Sequence, residues 1–86
     1  MFKIIVHKRA VRYLEKLSHT QKQIIKENLK KLKNNPFEYA NVKPMLGDWK
    51  GYFRMRMGNK RVIFWIDKDE KIIYVDHIGP RGNIYK

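Results

Sequence analysis

The spacing of hydrophobic residues divides the chain into an N-terminal part with helical periodicity and a C-terminal part with strand periodicity. Residues 2–7 are rich in β-branched and aromatic side chains and predict a first strand. Apolar residues then recur at helical spacing, which predicts one helix over about residues 8–17 and a second that begins near His19. The second helix has an apolar stripe formed by Ile24, Ile25, Leu29 and Leu32.

Both ends of the second helix carry sequence signals. Ser18 and Gln21 have the form of a capping box, in which each side chain accepts a hydrogen bond from the backbone N–H of the other residue. Pro36 ends the helix, because proline cannot continue it and disfavours helical geometry in the residue before it. Residues 36–48 contain two of the three prolines and Gly47, so we expect a loop there.

After Asp48 the helical period gives way to the alternation of a strand. Residues 49–57 and 60–66 predict two strands, and Gly58-Asn59 between them predicts a tight hairpin turn of type II′ or I′. A second turn at residues 67–70 leads to a last strand at about residues 71–78.

The predicted order of elements is β-α-α-β-β-β, which indicates an α+β fold. A single domain spans residues 1–86, because so short a chain cannot support two hydrophobic cores. We expect both helices to pack on one face of a mostly antiparallel four-stranded sheet, which leaves the other face for function.

The predicted hairpin assigns alternating side chains to two faces of the sheet. With Gly58-Asn59 as the turn, the strands pair in the register Met57–Lys60, Arg56–Arg61, Met55–Val62, Arg54–Ile63 and Phe53–Phe64. One face is apolar and suits a core beneath the helices: Phe53, Met55, Met57, Val62, Phe64 and Ile66. The opposite face is basic and aromatic: Tyr52, Arg54, Arg56, Arg61, Ile63 and Trp65. Trp49, just before the hairpin, is expected to anchor in the core.

Charge makes this second face a candidate binding surface. Twenty Lys and Arg against eight Asp and Glu give a formal net charge of +12, which favours polyanionic partners, above all nucleic acid. No acidic residue lies between Trp49 and Arg61, and like charges placed directly opposite on a hairpin repel each other. The alternatives are that the charge serves solubility alone, or that the arginines protect a solvated edge of the sheet against aggregation.

Arginine and aromatic side chains on one rigid face suit RNA. Guanidinium groups grip phosphates as planar forks, and aromatic rings provide platforms on which bases stack. We therefore predict an RNA-binding surface whose contacts beside the arginines come from Tyr52, Lys50, Lys60 and Trp65.

Other classes of protein are disfavoured. Cysteine is absent, which excludes disulfides and thiolate metal sites, and the three histidines lie too far apart in sequence to suggest a metal site. We expect no cofactor. The apolar run at Phe2–Val6 is too short and too polar for a signal peptide, and no stretch approaches the roughly 20 apolar residues of a membrane span. We expect a soluble protein of the cytoplasm.

Residues 52–64 resemble the central hairpin of toxins of the RelE/ParE superfamily, which commonly has the form Y-R-I-R-V-G-D-Y-R-V-I-Y. The tail from Gly79 through Arg81 to Tyr85 and Lys86 is similar to the basic-then-tyrosine segment that closes these proteins. The N-terminal strand and helix pair fit as well, so the resemblance spans nearly the whole chain.

The resemblance to the RelE-like branch implies a metal-free endoribonuclease that cuts messenger RNA on the ribosome and so inhibits translation. It implies an antitoxin partner, which we expect to be acidic, besides the ribosome and messenger RNA. In such a reaction the 2′-hydroxyl attacks the adjacent phosphorus and expels the 5′-oxygen. Carried over by motif, the catalytic residues are Arg54, Arg56, Arg61, Arg81 and Tyr85. Arg61 and Arg81 would stabilise the phosphorane, Arg54 and Arg56 would position the backbone, and Tyr85 would stack on a base.

The general base is left open. Some relatives carry lysines where Arg54 and Arg56 stand, and arginine stays protonated in proteins. His77 on the predicted last strand is a candidate, because histidine titrates near neutral pH, and a purely structural role is the alternative. Two other functions are carried forward: inhibition of DNA gyrase in the manner of ParE toxins, and RNA binding without catalysis. The presence of Arg61, Arg81 and Tyr85 together favours cleavage.

Overall fold

The computed structural model describes residues 2–36 and 42–80. Strand β1 (Lys3–Val6) is followed by helices α1 (Lys8–Glu15) and α2 (His19–Asn34). Strand β2 (Val42–Pro44) and a short 3₁₀ helix (Gly47–Trp49) lead to strands β3 (Phe53–Met57), β4 (Lys60–Asp67) and β5 (Ile72–Pro80).

All five of these strands form one sheet in the order β1-β5-β4-β3-β2. Strand β1 pairs with β5 in parallel, and the other three pairings are antiparallel. The predicted α+β class is confirmed, but the predicted strand count of four is wrong. The additional strand is β2, which occupies three residues of the segment expected to be a loop and is exposed at Lys43 and Pro44. It pairs with β3 at one edge of the sheet, where proline is tolerated because only one side of the strand needs backbone donors.

The two helices pack on one face of the sheet and form the core with it. Its buried members are Ala10, Ile25, Leu32, Met55, Met57, Val62, Phe64, Ile73, Val75 and Ile78. The apolar face predicted for the hairpin is thereby confirmed, since Phe53 and Ile66 also pack against this core. Ile24 was expected in the stripe of α2 but is 52% exposed, because Ile25 and Leu32 point at the sheet and Ile24 lies to their side.

Helix α2 begins with the predicted capping box. The Ser18 hydroxyl accepts a hydrogen bond from the Gln21 backbone N–H at 3.2 Å, and Gln21 Oε1 accepts one from the Ser18 N–H at 3.4 Å. A helix leaves its first backbone donors without partners inside the helix, so the box fixes where α2 starts.

The β3–β4 hairpin has the predicted register from Phe53–Phe64 to Met57–Lys60. Its turn is Gly58-Asn59, and Gly58 has a φ of +61° while Asn59 is absent from the positive-φ residues. A positive φ at the first central residue alone fits type II′ of the two turn types predicted. The pleat therefore presents the three hairpin arginines on the face away from the helices, which we call the basic face.

A β-bulge interrupts the pairing of β4 with β5. Ile63 pairs with His77, but the next residue, Phe64, pairs with Val75, so Asp76 is an extra residue on β5. If the side chains of β5 alternated without the bulge, His77 would point toward the helices. Because of the bulge, His77 lies on the basic face beside Ile63, and Ile78 packs in the core.

Candidate nucleic-acid interface

One row of cross-strand neighbours crosses the basic face from β2 to β5. Lys43 pairs with Arg54, Arg54 with Ile63, and Ile63 with His77. Side chains that are direct partners lie on the same face with Cβ atoms about 4.5–5.5 Å apart. Lys43 is exposed and Arg54 half-buried, whereas Ile63 between Arg54 and His77 is fully buried. The row thus has two cations at one end and an imidazole at the other.

The next row of the basic face holds two arginines in direct opposition. Arg56 pairs with Arg61, and Arg61 pairs on its other side with Gly79, which adds no side chain. Arg56 is exposed, but Arg61 is only 9% exposed. A cation with so little freedom is held in a fixed position, which suits it to stabilise charge at one point in space.

Aromatic rings adjoin these cations on the same face. The ring of Trp49 meets Tyr52 edge-on at 5.1 Å between centroids, and it meets His77 edge-on at 5.5 Å. Trp49 therefore lies over the basic face, and the expectation that it anchors in the core is wrong. The physical reason is the 3₁₀ helix Gly47–Trp49, which turns the chain before β3 begins, so Trp49 does not take part in the strand alternation.

A second aromatic pair occupies the neighbouring row. Trp65 pairs with Tyr74 across β4 and β5, and their rings stack at 4.4 Å with an interplanar angle of 14°. Trp65 is 37% exposed, so part of its ring remains accessible. A base could extend this stack, because every nucleobase offers a flat π-face.

His77 is held by groups from two elements. Its Nδ1 lies 2.7 Å from Asp76 Oδ2, a close contact in which the N–H direction falls outside hydrogen-bond geometry. Its Nε2 lies 3.2 Å from the Arg9 guanidinium of α1, and the same guanidinium donates to His7 Nδ1 at 3.2 Å. Since a guanidinium can only donate, Nε2 of His77 carries the lone pair and Nδ1 the proton.

The predicted site residues divide into three groups. Tyr52, Arg54, Arg56, Arg61 and Trp65 come together on the basic face. Lys60 does not: its strand position is on the helix side, it is 9% exposed, and its Nζ donates to Asn59 Oδ1 at 3.2 Å. Lys60 also lines a cavity of about 180 Å³ with residues of α2. Lys50 is exposed directly after the 3₁₀ helix, while Arg81 and Tyr85 lie outside the described residues.

Three residues of this face escaped the sequence prediction. The prolines and the glycine around Lys43 predict a loop, and only its pairing with Arg54 places it in a strand. Tyr74 follows from alternation on the last strand, opposite Trp65. Asp76 carries no signal in the sequence, because nothing there marks the bulge.

The arrangement is suited to an extended polyanion with bases. Lys43, Arg54 and Arg56 can pair with successive phosphates, and the stacked rings can hold bases beside them. Within residues 2–36 and 42–80, no three histidine or acidic side chains converge to hold a metal ion. The helices of that same part of the chain are all too short or too polar to cross a membrane.

Comparison with known proteins places the chain among toxins of toxin–antitoxin systems. Residues 4–85 match the family described as ParE toxin of type II toxin-antitoxin system, parDE. RelE1 of Methanocaldococcus jannaschii is 32% identical to this chain, over 99% of this chain and 96% of that protein.

Solved structures of similar fold include chains from toxin–antitoxin complexes. The archaeal RelE–RelB complex of Pyrococcus horikoshii contains a chain with a TM-score of 0.82 and 25% identity, over 95% of this chain and 97% of that one. The RelBE2 complex of Mycobacterium tuberculosis contains one with a TM-score of 0.83 and 22% identity, over 93% of this chain and 98% of that one.

Proposed function

Since the chain belongs to the ParE toxin family of type II toxin–antitoxin systems, within the RelE/ParE superfamily, we propose that it is a ribosome-dependent endoribonuclease that cleaves messenger RNA. Membership makes it a toxin, and the RelE-named relative favours the RNA-cleaving branch. Its site of action is then the cytoplasm, where messenger RNA is translated.

The observation that carries this proposal is the nearly buried Arg61 on a face that also holds exposed cations and rings. Arg61 is flanked by Arg56 in its own row, and Arg54 lies two residues away from Arg56 on the same strand face. A surface built only for solubility would leave its guanidinium groups exposed, whereas Arg61 is enclosed on the same face as two further arginines.

Each group has a role in the proposed reaction. Attack of the 2′-hydroxyl on phosphorus creates a phosphorane with added negative charge, and the fixed Arg61 guanidinium stabilises it. Arg54 and Arg56 position the RNA backbone. Arg81 and Tyr85 complete the set implied by the family resemblance: Arg81 shares the phosphorane charge, and Tyr85 stacks on a base.

We propose RNA contacts from Tyr52, Trp65 and the exposed Lys50 as well. Tyr52 and Trp65 lie on the basic face beside the arginines. Lys60 is a weaker candidate, because its amino group is directed to the helix side and bonded to Asn59. We therefore assign Lys60 a part in the hairpin turn in preference to RNA binding.

The partner that restrains the toxin is an antitoxin, which we propose to be acidic. A net charge of +12 favours a polyanionic binder, and relatives of this fold were solved in complex with antitoxins. Acidic side chains of the antitoxin would cover the basic face, so RNA and antitoxin could not bind to the toxin at the same time.

A reconstituted translation reaction tests the proposal. Purified toxin is added with and without ribosomes, and new 5′ ends of the messenger are mapped. Cuts that appear only with ribosomes, and vanish in a folded Arg81→Ala variant, are the expected result. Arg12→Ala, an exposed arginine of α1, is the matched control and should cut like the unaltered protein. Absence of cuts on translating ribosomes would overturn the proposal.

A second candidate function is inhibition of DNA gyrase. The matching family is that of ParE toxins, which the resemblance associates with topoisomerase poisoning. A supercoiling assay separates the two, because only a gyrase inhibitor should block supercoiling by purified gyrase. A toxin that binds RNA but neither cuts it nor inhibits gyrase would be a binding module alone.

A further inference from the structure

The bulge at Asp76 places a histidine on the basic face at the point where the proposed reaction lacks a proton acceptor. Arg54, Arg56 and Arg61 all stay protonated and cannot take a proton from a 2′-hydroxyl. His77 shares their face because the bulge reverses the alternation of β5 just before it. Bulges commonly redirect a side chain in this way beside active sites.

The geometry around His77 fixes which nitrogen can act as a base. Asp76 Oδ2 lies 2.7 Å from Nδ1, so the carboxylate favours the tautomer that carries its proton on Nδ1. The lone pair is then on Nε2, which faces the exposed guanidinium of Arg9 at 3.2 Å. Trp49 packs edge-on against the ring and restrains its tilt.

His77 also lies within reach of the group proposed to stabilise the phosphorane. Arg61 and His77 are diagonal neighbours, because His77 is two residues before Gly79, the direct partner of Arg61. Diagonal neighbours on one sheet face are about 7–8 Å apart at Cα, a span that one phosphodiester can bridge.

We propose that His77 is the general base of RNA cleavage and that Asp76 is its positioning residue; this rests on the proposed function. RNA phosphate draws Arg9 away from Nε2, since a charged oxygen is the stronger acceptor for a guanidinium. The 2′-hydroxyl proton passes to Nε2 while the bond from O2′ to phosphorus forms. The bond from phosphorus to O5′ breaks, and O5′ takes a proton from water. The imidazolium returns its proton to the hydroxide, which leaves a 2′,3′-cyclic phosphate and a free 5′-hydroxyl.

The charged groups that face His77 come from four elements. The Arg9 guanidinium on α1 contacts Nε2, Arg61 on β4 is the diagonal neighbour of His77, and Arg54 on β3 lies two strands away. The Asp76 carboxylate on β5 lies against Nδ1. Trp49, from the 3₁₀ helix, is uncharged.

The test compares His77→Gln with His19→Gln, an exposed histidine at the start of α2. Single-turnover cleavage on ribosomes is measured from pH 5.5 to 8 with saturating toxin. Loss of a general base slows cleavage by about 10²–10⁴-fold, so His77→Gln should show that loss while His19→Gln keeps the full rate. Binding of each variant to single-stranded RNA checks that the basic face is intact.

The pH dependence of the cleavage rate distinguishes a catalytic role of His77 from a purely structural one. A general base acts only while it is unprotonated, so the unaltered protein should cleave faster as pH rises across the measured range, and His77→Gln should lose this dependence. Asp76→Asn removes the carboxylate beside Nδ1, so it should lower the single-turnover rate while it leaves the affinity for RNA unchanged. An unaltered protein that cuts RNA with a flat profile, or a His77→Gln variant that cuts at full rate, overturns this inference alone. An unaltered protein that cuts nothing overturns the proposed function and this inference together.

Discussion

Arg56 and Arg61 face each other directly across the β3–β4 hairpin, one pair away from the turn. Directly opposed like charges destabilise a sheet by about 0.2–1 kcal/mol. The cost matters in an 86-residue domain, which buries only about 60–65% of its unfolded surface. We infer that an anion bound between the two guanidinium groups would offset this repulsion.

Replacement of Arg56 by glutamine should therefore raise stability while it weakens RNA binding. We expect the free energy of unfolding to increase by up to about 1 kcal/mol, because Arg61 loses its like-charged partner. Urea denaturation is the suitable measurement, since guanidinium chloride would screen the charges. Lys30→Gln on α2 lowers the net charge equally without touching this pair, and it should give the smaller gain. Equal gains in the two variants would show that net charge alone, and not the Arg56–Arg61 contact, is responsible.

The salt dependence of RNA binding should identify which cations touch phosphates. For single-stranded nucleic acid, each phosphate contact contributes about 0.7 to the slope of log affinity against log salt. Lys43→Gln and Arg54→Gln should each reduce that slope by about this amount, because the two residues are cross-strand neighbours on the basic face. Lys60→Gln, in the same hairpin but directed to the helix side, should leave the slope unchanged. The measurement is fluorescence anisotropy with labelled RNA at several salt concentrations, and a smaller slope for Lys60→Gln would contradict the placement of that side chain.

Trp65 should contribute to RNA binding by stacking on a base and not through charge. Truncation to alanine is expected to weaken RNA binding by about 1–3 kcal/mol, the range found for single base–aromatic stacks. The salt slope should stay the same, since no phosphate contact is lost. Trp65→Phe keeps a ring against Tyr74 and should retain most of the affinity. An alanine variant that binds as tightly as the unaltered protein would assign Trp65 a role confined to packing on Tyr74.

The sequence was sufficient for the hairpin because two independent signals agreed there. Gly58-Asn59 marked the turn, and strict alternation on both sides set the register, so the apolar and basic faces followed together. The start of α2 was predictable because the capping box of Ser18 and Gln21 marks it, and the apolar stripe of the helix follows from Ile24.

The features that could not be predicted are those with no local signal. Strand β2 is three residues long and ends in proline, so propensity favours a loop, and only its pairing with β3 makes it a strand. The bulge at Asp76 depends on how β5 fits between two neighbours, and it alone decides the face of His77. Trp49, expected to anchor in the core, lies over the basic face because of the 3₁₀ helix. The roles of Arg81 and Tyr85 remain predictions, because both lie outside the described residues.

Substitution of Arg61 should separate catalysis from binding. Arg61→Gln removes the fixed guanidinium, and we expect the single-turnover rate of cleavage on ribosomes to fall by about 10²–10³-fold, as when one donor to a developing oxyanion is lost. Affinity for RNA should change far less, because Lys43, Arg54 and Arg56 remain to hold the backbone. Arg61→Lys keeps the charge but loses the planar fork, so it should recover only part of the rate. Arg56→Gln is the matched control from the same row, and it should weaken binding more than it slows cleavage at saturation. If the Arg61→Gln variant cleaved RNA at the full rate at saturation, stabilisation of the phosphorane charge would be assigned to Arg81 instead of Arg61.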